Sequence, residues 1–376
     1  MCYDPARVRI LIDYRPALRQ RTGVGEYVHG LATALAARLP HEDTLTLFSS
    51  SWKDRLPAAA VPGARQVDAR VPVSLLNFAW HRLEWPPVEW LAGQADIVHS
   101  MHPLMIPGRN GARFITIHDL YFLDRPEHTA SEIQRDYPAL AADHARRADG
   151  IIVNSDYTRR QVVERLGVPP EKVTVCTPGN PGWPRRTAKA QPGPILFLGT
   201  LEPRKNLHRL MEAYALLLER RPDIPDMVLA GALGTPTRDL FSGPMSLARA
   251  IDRVRLTGYV SDDERQRLYG EASMLVLPSL EEGFGIPALE AMTLGLPVVA
   301  SNRGALPEVL GSAGILVDPE DANALASAIE RVLDDPSLRR QMEEAGLARA
   351  SQFSWRLSAE RLYGAYRAAH ARRRPA

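Results

Sequence analysis

Pro181–Pro194 reads PGWPRRTAKAQPGP, and Ile195–Leu198, ILFL, follows it at once. The first stretch carries four prolines, two glycines and three basic residues with no hydrophobic period, which is the composition of a connecting segment. The second is a short apolar run closed by Gly199, the signature of a buried strand. Together they divide 376 residues into two lengths, each suited to one domain. The expected organisation is a first unit over 1–180, a linker over 181–194, a second unit over 195–354, and a helix with a basic tail over 355–376.

Upstream of the break, Val8–Asp13 (VRILID) reads as a buried strand. Gly25–Leu39 then carries Val28, Leu31, Leu35 and Leu39 at helical spacing. Further strands are expected at Thr44–Phe48, Asp96–His99, Phe114–Ile117, Gly150–Asn154 and Val173–Cys176, with helices over Ala130–Arg147 and Tyr157–Leu166. Downstream, strands are expected at Met227–Ala230, Val254–Leu256, Met274–Leu277, Val298–Ala300 and Ile315–Val317. Helices fit Leu207–Arg220, Asp262–Tyr269, Pro287–Leu294 and Asn323–Leu333. Val- and Ile-rich strands alternating with helices imply parallel sheets covered on both faces. The predicted class is α/β, with two doubly wound, Rossmann-like units facing across a cleft. Ser337–Arg374 reads as helical, and its last part is expected to return to the first unit.

Composition narrows the function. Lys and Arg number 46 against 44 Asp and Glu, a net charge of +2, without the basic excess of a nucleic-acid binder. Cys2 and Cys176 are the only cysteines, too few for a disulfide framework or a CxxC zinc site, and a reducing, cytoplasmic setting is expected. The start, MCYDPARVRILID, lacks the apolar core of a signal peptide, and no run of 18 apolar residues occurs.

Four loops follow strands and open helices. The first is Thr22-Gly23-Val24-Gly25-Glu26-Tyr27, a G-x-G whose glycines let backbone approach a ligand. Val28 stands where a dinucleotide fingerprint needs its third glycine. The second is Ile117-His118-Asp119-Leu120, which places a general base or hydrogen-bonding imidazole at a strand end. His99 and His102 also follow a strand, but their spacing matches no metal-ligand pattern. The third is Gly199–Asn206, GTLEPRKN, where Arg204 and Lys205 precede a helix that Asn206 can cap. Two cations beside a helix start form a diphosphate site.

The fourth loop, Ser279–Glu290 (SLEEGFGIPALE), is the most telling. Pro287 is expected at the first helical position and Glu290 one turn in. A carboxylate there can accept both hydroxyls of a ribose, while a merely helix-favourable acid would not explain Glu282 and two glycines ahead of it. No D-x-D pair occurs to carry a divalent ion on a diphosphate. The stretch Leu75–Trp90 carries three of the six tryptophans, Trp80, Trp85 and Trp90, broken by Pro86-Pro87. Packing of a bent helix pair is the expected role, and a sugar, lipid or membrane surface is the alternative.

The E-x7-E spacing of EGFGIPALE, the following AMTLGLPVVAS and GALPEV, and the GTLEPRKN loop resemble glycosyltransferase family 4, the retaining enzymes of the GT-B fold. GVGEY and IHDL fall where that family has its first-domain motifs. The resemblance spans nearly the whole chain and is strongest over 195–333. It implies sugar transfer from a nucleotide-sugar donor with retention, no required metal and no cofactor. It also implies site residues. Glu290 would hold the ribose and Glu282 would lie by the donor sugar, near the backbone of Phe284 and Gly285. Arg204 and Lys205 would bind the diphosphate on the loop begun by Gly199, and Tyr259 and Val260 would meet the base. Gly23 and Gly25 would meet phosphates or acceptor, and His118 the donor sugar. The first loop is Gly23-Val24-Gly25 where many members have a Gly-Gly pair. GDP-mannose is the expected donor, and a glycan or lipid-linked molecule the acceptor, reached by peripheral contact with the inner membrane face. A sugar-nucleotide epimerase or phosphorylase on the same architecture, or an inert nucleotide-sugar-binding protein, are the competing readings.

Overall fold

The computed structural model describes residues 7–18, 21, 23–57, 59–129, 131–187, 193–234, 250 and 252–373. It divides into two compact units, Met1–Gly179 with Ser354–Ala376, and Asn180–Phe353.

The first unit holds a seven-stranded sheet of β1 (Arg9–Asp13), β2 (Thr44–Ser49), β3 (Arg65–Asp68), β4 (Ile97–Ser100), β5 (Ala112–Ile117), β6 (Gly150–Val153) and β7 (Val173–Val175). Their order is β3-β2-β1-β4-β5-β6-β7, and every pairing is parallel, with Ile12 opposite His99 between β1 and β4. Strands β4 and β6 are buried along their whole length, as a sheet covered on both faces requires. The strand order reverses between β1 and β4, the crevice where open α/β sheets bind ligands. The helix Gly23–Ala36 buries Tyr27, Val28, Leu31 and Leu35, the face its periodicity indicates.

The second unit repeats the plan with β8 (Ile195–Leu198), β9 (Met227–Ala230), β10 (Val254–Gly258), β11 (Met274–Leu277), β12 (Val298–Ser301) and β13 (Ile315–Val317). All pair in parallel in the order β10-β9-β8-β11-β12-β13, so the reversal falls between β8 and β11. The helix Leu207–Arg220 turns Leu210, Met211, Tyr214 and Leu217 into the core, each such side chain contributing about 1.5–3 kcal/mol by its burial. The helix Ile286–Leu294 is buried from Ala288 through Leu294, so its apolar residues are not confined to one stripe, and Glu290 and Thr293 are buried among them.

Some elements escape the sequence reading. β3, RQVD, is an edge strand whose only large apolar residue is Val67, paired with Phe48. The short helix Leu306–Leu310 also forms. The bent helix pair expected over Leu75–Trp90 is present as the helices Val73–Leu83 and Glu89–Ala92, the first ending at Glu84 in left-handed conformation ahead of the proline pair. In the stretch read as linker, Arg186 is packed into the second unit. Its guanidinium donates to Ala272 O (2.7 Å), Gly295 O (3.2 Å) and Glu343 Oε1 (2.9 Å). Positions 188–192 of that stretch, Ala130, Thr22, Cys2 and the last residues of the basic tail lie outside the described residues.

The final helix, Trp355–Arg373, belongs to the first unit. A Cβ at Gly30 would stand 2.5 Å from the Trp355 ring, so glycine is what admits the indole. Tyr366 hydroxyl and His99 Nδ1 are 2.5 Å apart, and Tyr363 donates to the buried Asp43 at 2.6 Å. Burial takes His99 down to about 3, so the imidazole is neutral.

Candidate functional site

The two strands flanking the second reversal send their carboxyl-end loops toward each other. After β8, Gly199 takes φ +152°, then Pro203–Lys205 form one 3-10 turn and Asn206 turns left-handed at φ +57°. After β11 the chain runs through Ser279 to Gly285, which takes φ +97° and starts the helix Ile286–Leu294. Leu280 N donates to Arg204 O at 2.9 Å, so the loops are joined through their backbones.

Side chains complete the join. Lys205 Nζ donates to Glu282 Oε1 at 2.6 Å, and Ser279 Oγ donates to the same oxygen at 2.8 Å. Arg204 donates to Glu202 Oε1 at 2.8 Å and to Glu281 O at 3.3 Å, and lies 3.6 Å from Glu282 Oε2. Lys205 and Glu282 are both buried. Burial alone would raise the Glu282 carboxyl, but the Lys205 and Arg204 charges and the hydrogen bonds from Lys205 and Ser279 outweigh it, and the group is held below its ordinary value. The predicted cation pair is therefore real but matched, with Glu202 beside Arg204 and Glu282 beside Lys205.

Two expectations need correction here. Asn206 does not cap its helix with its side chain; Nδ2 instead donates to Pro278 O (3.1 Å) and Pro319 O (2.7 Å), which ties three loops together. Pro287 is the second helical residue, behind Ile286. The Phe284 side chain is core, packed edge-on against Phe353 with centroids 5.5 Å apart, so only its backbone is left for a ligand.

Glu290 is buried one turn into its helix. Tyr269 hydroxyl donates to Oε2 at 2.8 Å, and Arg265 Nη1 lies 3.2 Å from Oε1. Sequence reasoning missed both partners. Their four-residue spacing on the helix Asp262–Glu271 was the available signal, since it puts them on one face. Tyr259 is exposed and Val260 buried at the carboxyl end of the edge strand β10, just past Gly258 at φ +71°.

In the first unit, Gly23 opens the helix Gly23–Ala36 and is exposed, while Gly25 is buried. A Cβ at Gly25 would meet Pro16 O at 3.0 Å, so a close backbone approach explains this glycine. His118 follows β5 and donates from Nε2 to Met101 O at 3.2 Å, with the Tyr27 ring edge-on at 5.2 Å. Burial lowers its pKa, so it is neutral near pH 7 and its Nδ1 carries a lone pair. His102 faces Asp13 Oδ2 at 3.3 Å rather than joining His99 and His118. Among the described residues, no group of three or more His, Cys, Asp or Glu is arranged to hold a metal ion. Trp80 is buried, whereas Trp85 and Trp90 are exposed, as are Leu75, Phe78 and Leu83. Among the described residues, no helix is long and apolar enough to cross a membrane.

Residues 184–349 match the family model for glycosyl transferases group 1, and residues 21–181 match that for glycosyltransferase family 4. The chain is 30 % identical over 381 residues to O-antigen chain mannosyltransferase B of Escherichia coli, covering 96 % of this chain and 100 % of that one. It is 31 % identical over 437 residues to D-inositol 3-phosphate glycosyltransferase of a Nocardioides species, covering 99 % and 92 %. Among solved structures, sucrose-phosphate synthase from Thermosynechococcus elongatus superposes with TM-score 0.74 at 22 % identity, over 97 % of this chain and 99 % of that one. WaaG, a glycosyltransferase involved in lipopolysaccharide biosynthesis, superposes with TM-score 0.69 at 18 % identity, over the same shares. The latter two likenesses speak to the fold.

Proposed function

The chain belongs to the group 1 glycosyltransferases of family 4, with the GT-B fold, and from that premise we propose that it is a retaining mannosyltransferase. In this reading it moves mannose from GDP-mannose to a hydroxyl of a glycan or lipid-linked acceptor, without a metal ion. The observation that carries it is the joined pair of loops at the β8–β11 reversal, where Arg204, Lys205 and Glu282 meet at the place an open α/β sheet binds its ligand.

Each residue then has a task. Glu290 accepts the ribose hydroxyls. The Lys205 ammonium has three donors and spends one on Glu282, which leaves two for the diphosphate. As the bond from the anomeric carbon to the diphosphate oxygen breaks, negative charge gathers on that oxygen. Arg204, Lys205 and the backbone of Phe284 and Gly285 are fixed ahead of that charge, which is electrostatic preorganisation. Glu282 is held by Lys205 and Ser279, an arrangement suited to positioning rather than nucleophilic attack. The acceptor oxygen therefore bonds the anomeric carbon on the face the diphosphate leaves, and its proton passes to a leaving phosphate oxygen. In the first unit we assign His118 to the donor sugar, and Gly23 and Gly25 to phosphate or acceptor. Tyr259 and Val260 are assigned to the base. The relative named as a mannosyltransferase supports the choice of sugar. Exposed Trp85, Trp90, Phe78, Leu75 and Leu83 support peripheral contact with a membrane face.

The test is a thermal-shift screen with GDP, UDP, ADP and TDP and their sugars in EDTA, followed by NMR of the product from the stabilising donor. GDP-mannose should raise the melting temperature most, and the product should keep the donor's anomeric configuration. An inverted product, or activity restored only by a divalent ion, would overturn the mechanism. Stabilisation by another nucleotide alone would overturn the donor. Binding with no new glycosidic bond across an acceptor panel would leave a binding protein.

A further inference from the structure

Eleven large hydrophobic side chains are exposed among the described residues, and six of them, Trp52, Leu75, Phe78, Leu83, Trp85 and Trp90, fall within one stretch of the first unit, each more than half exposed. The helix Val73–Leu83 organises them. Leu76 and Trp80, four residues apart, face the core, while Leu75 and Phe78, three apart, share the opposite face with Arg82. The helix is therefore apolar on its solvent side as well as on its buried side. Trp80 Nε1 donates to Pro86 O at 2.9 Å, which holds the following turn against the helix, and Trp85 and Trp90 meet edge to face with centroids 5.7 Å apart. At the other end Ser50 Oγ accepts from Val71 N at 3.2 Å and donates to Val71 O at 2.8 Å, so the loop carrying Trp52 lies at the helix start. Tryptophans thus stand at both ends of an exposed apolar face.

Charge borders that face unevenly. Asp68 is matched by Arg55, Glu84 by Arg147, and Asp136 by Arg82 and Arg135. Glu89 turns one oxygen to Arg109 N at 2.8 Å and buries the other. By contrast Lys53, Arg65, Arg70 and Arg109 are exposed and make no ion pair among the described residues. Lys53 and Arg70 flank the helix start. Arg109 lies beside Glu89, the chain neighbour of Trp90, and Arg65 Nη1 stands 3.6 Å from where a Cβ on Gly93 would be, just past the same short helix. A second copy docked here by two-fold symmetry would set this basic rim against itself, whereas an anionic lipid surface meets it with opposite charge.

We propose that the helix Val73–Leu83 and the Trp85–Trp90 pair form a seat for an anionic bilayer, with lipid headgroups meeting Lys53, Arg65, Arg70 and Arg109. This names the partner for the peripheral contact read above, and rests on that reading. A helix of 11 residues is too short to cross the hydrocarbon core, so it lies in the plane of the interface with its tryptophans at headgroup level. Its inner face meanwhile builds a wall of the first unit's strand-order reversal. Asn77 Oδ1 accepts from Arg15 Nη1 at 2.7 Å, and Arg15, stacked on Trp80, holds Asp13 at the end of β1. An acceptor carried in lipid would arrive beside that crevice.

The experiment is flotation of the full chain with vesicles of phosphatidylcholine alone, and of phosphatidylcholine mixed with phosphatidylglycerol, at low and at high salt. The mixed vesicles should be bound about tenfold more tightly, and salt should remove the difference. Phe78→Ser with Trp85→Ser should weaken binding to both vesicles about tenfold or more, with the melting temperature held, because both side chains are exposed. Lys53→Gln with Arg70→Gln should remove the preference for mixed vesicles and keep the weaker binding to neutral ones, and it serves if the apolar variant fails to fold. Equal binding to both vesicles at either salt would overturn the anionic partner and leave the peripheral contact standing. Binding to neither would overturn both. A dimer in sedimentation that Phe78→Ser with Trp85→Ser dissociates would give the face to a second copy and overturn the seat. Stabilisation by nucleotide should be the same in every variant, so a failed seat leaves the transferase reading untouched.

Discussion

Lys205 Nζ and Glu282 Oε1 are 2.6 Å apart across the β8–β11 reversal, both groups buried, in loops separated by 77 residues of chain. Removing one partner of a buried pair strands the other charge, at a cost of about 3–5 kcal/mol. Lys205→Met should therefore lower stability by about that amount and abolish transfer. Adding Glu282→Gln should return most of the stability, because Ser279 still satisfies the amide oxygen, yet leave transfer absent. Melting curves and turnover of the single and double variants check this.

Glu202 shares Arg204 with any diphosphate that binds there, since it already takes the guanidinium at 2.8 Å. The pair is partly solvated, and such pairs are worth roughly 0.2–1 kcal/mol. Glu202→Gln should tighten nucleoside diphosphate binding by about two- to fivefold, with little change in stability. Titration calorimetry decides, and weaker binding would mean that Glu202 aligns Arg204 rather than competing for it.

Gly304 has φ +65°, and a Cβ there would stand 2.7 Å from both N and O of Glu282. Its neighbour Ala305 donates to Glu282 O at 2.9 Å. Gly304→Ala should cost about 1–2 kcal/mol in backbone strain alone, more with the clash, and should displace the Glu282 backbone. Turnover should fall at least tenfold, beyond what the melting shift accounts for.

Acid should loosen the first unit before it titrates carboxylates. Burial lowers His81 to about 4, His99 to about 3 and His144 to about 4, and it lowers His118 as well. Below the ordinary histidine value of about 6.5 the unfolded chain takes up protons that the folded unit refuses. Stability therefore falls as pH drops from about 6.5 to 4, at up to about 1.4 kcal/mol per pH unit for each histidine. Asp136, held down to about 2 chiefly by its hydrogen bond from Arg135, adds its loss only below about pH 4. Urea melts from pH 7.5 to 4.5 should show the decline, and His99→Gln should reduce its slope. A slope unchanged in that variant would remove His99 from the account.

The alternation of apolar runs and helical stretches was enough for the class of fold, because a strand buried on both faces has to be written in Val, Ile and Leu, as GIIV and MLVL are in β6 and β11. Loops at strand ends were legible for the same local reason: Gly199, Gly258 and Gly285 all take positive φ where the chain turns. The edge strand β3 was not legible, since its place comes from pairing with β2 rather than from its own residues. Nor was the use made of Asn206, whose partners Pro278 and Pro319 are distant in sequence. The residues bearing charge at the site could be named from their spacing, but their electrostatic state could not. Whether Arg204 and Lys205 face solvent or carboxylates depends on which strand lies beside β8, and that order is set by packing across the sheet. Likewise the sequence alone determined that Glu290 lies one turn into a helix behind a glycine-rich loop. Only the tertiary structure decided that Arg265 and Tyr269, from another helix, hold both its oxygens, because a contact between helices is fixed by the core they share and not by the residues next to either one.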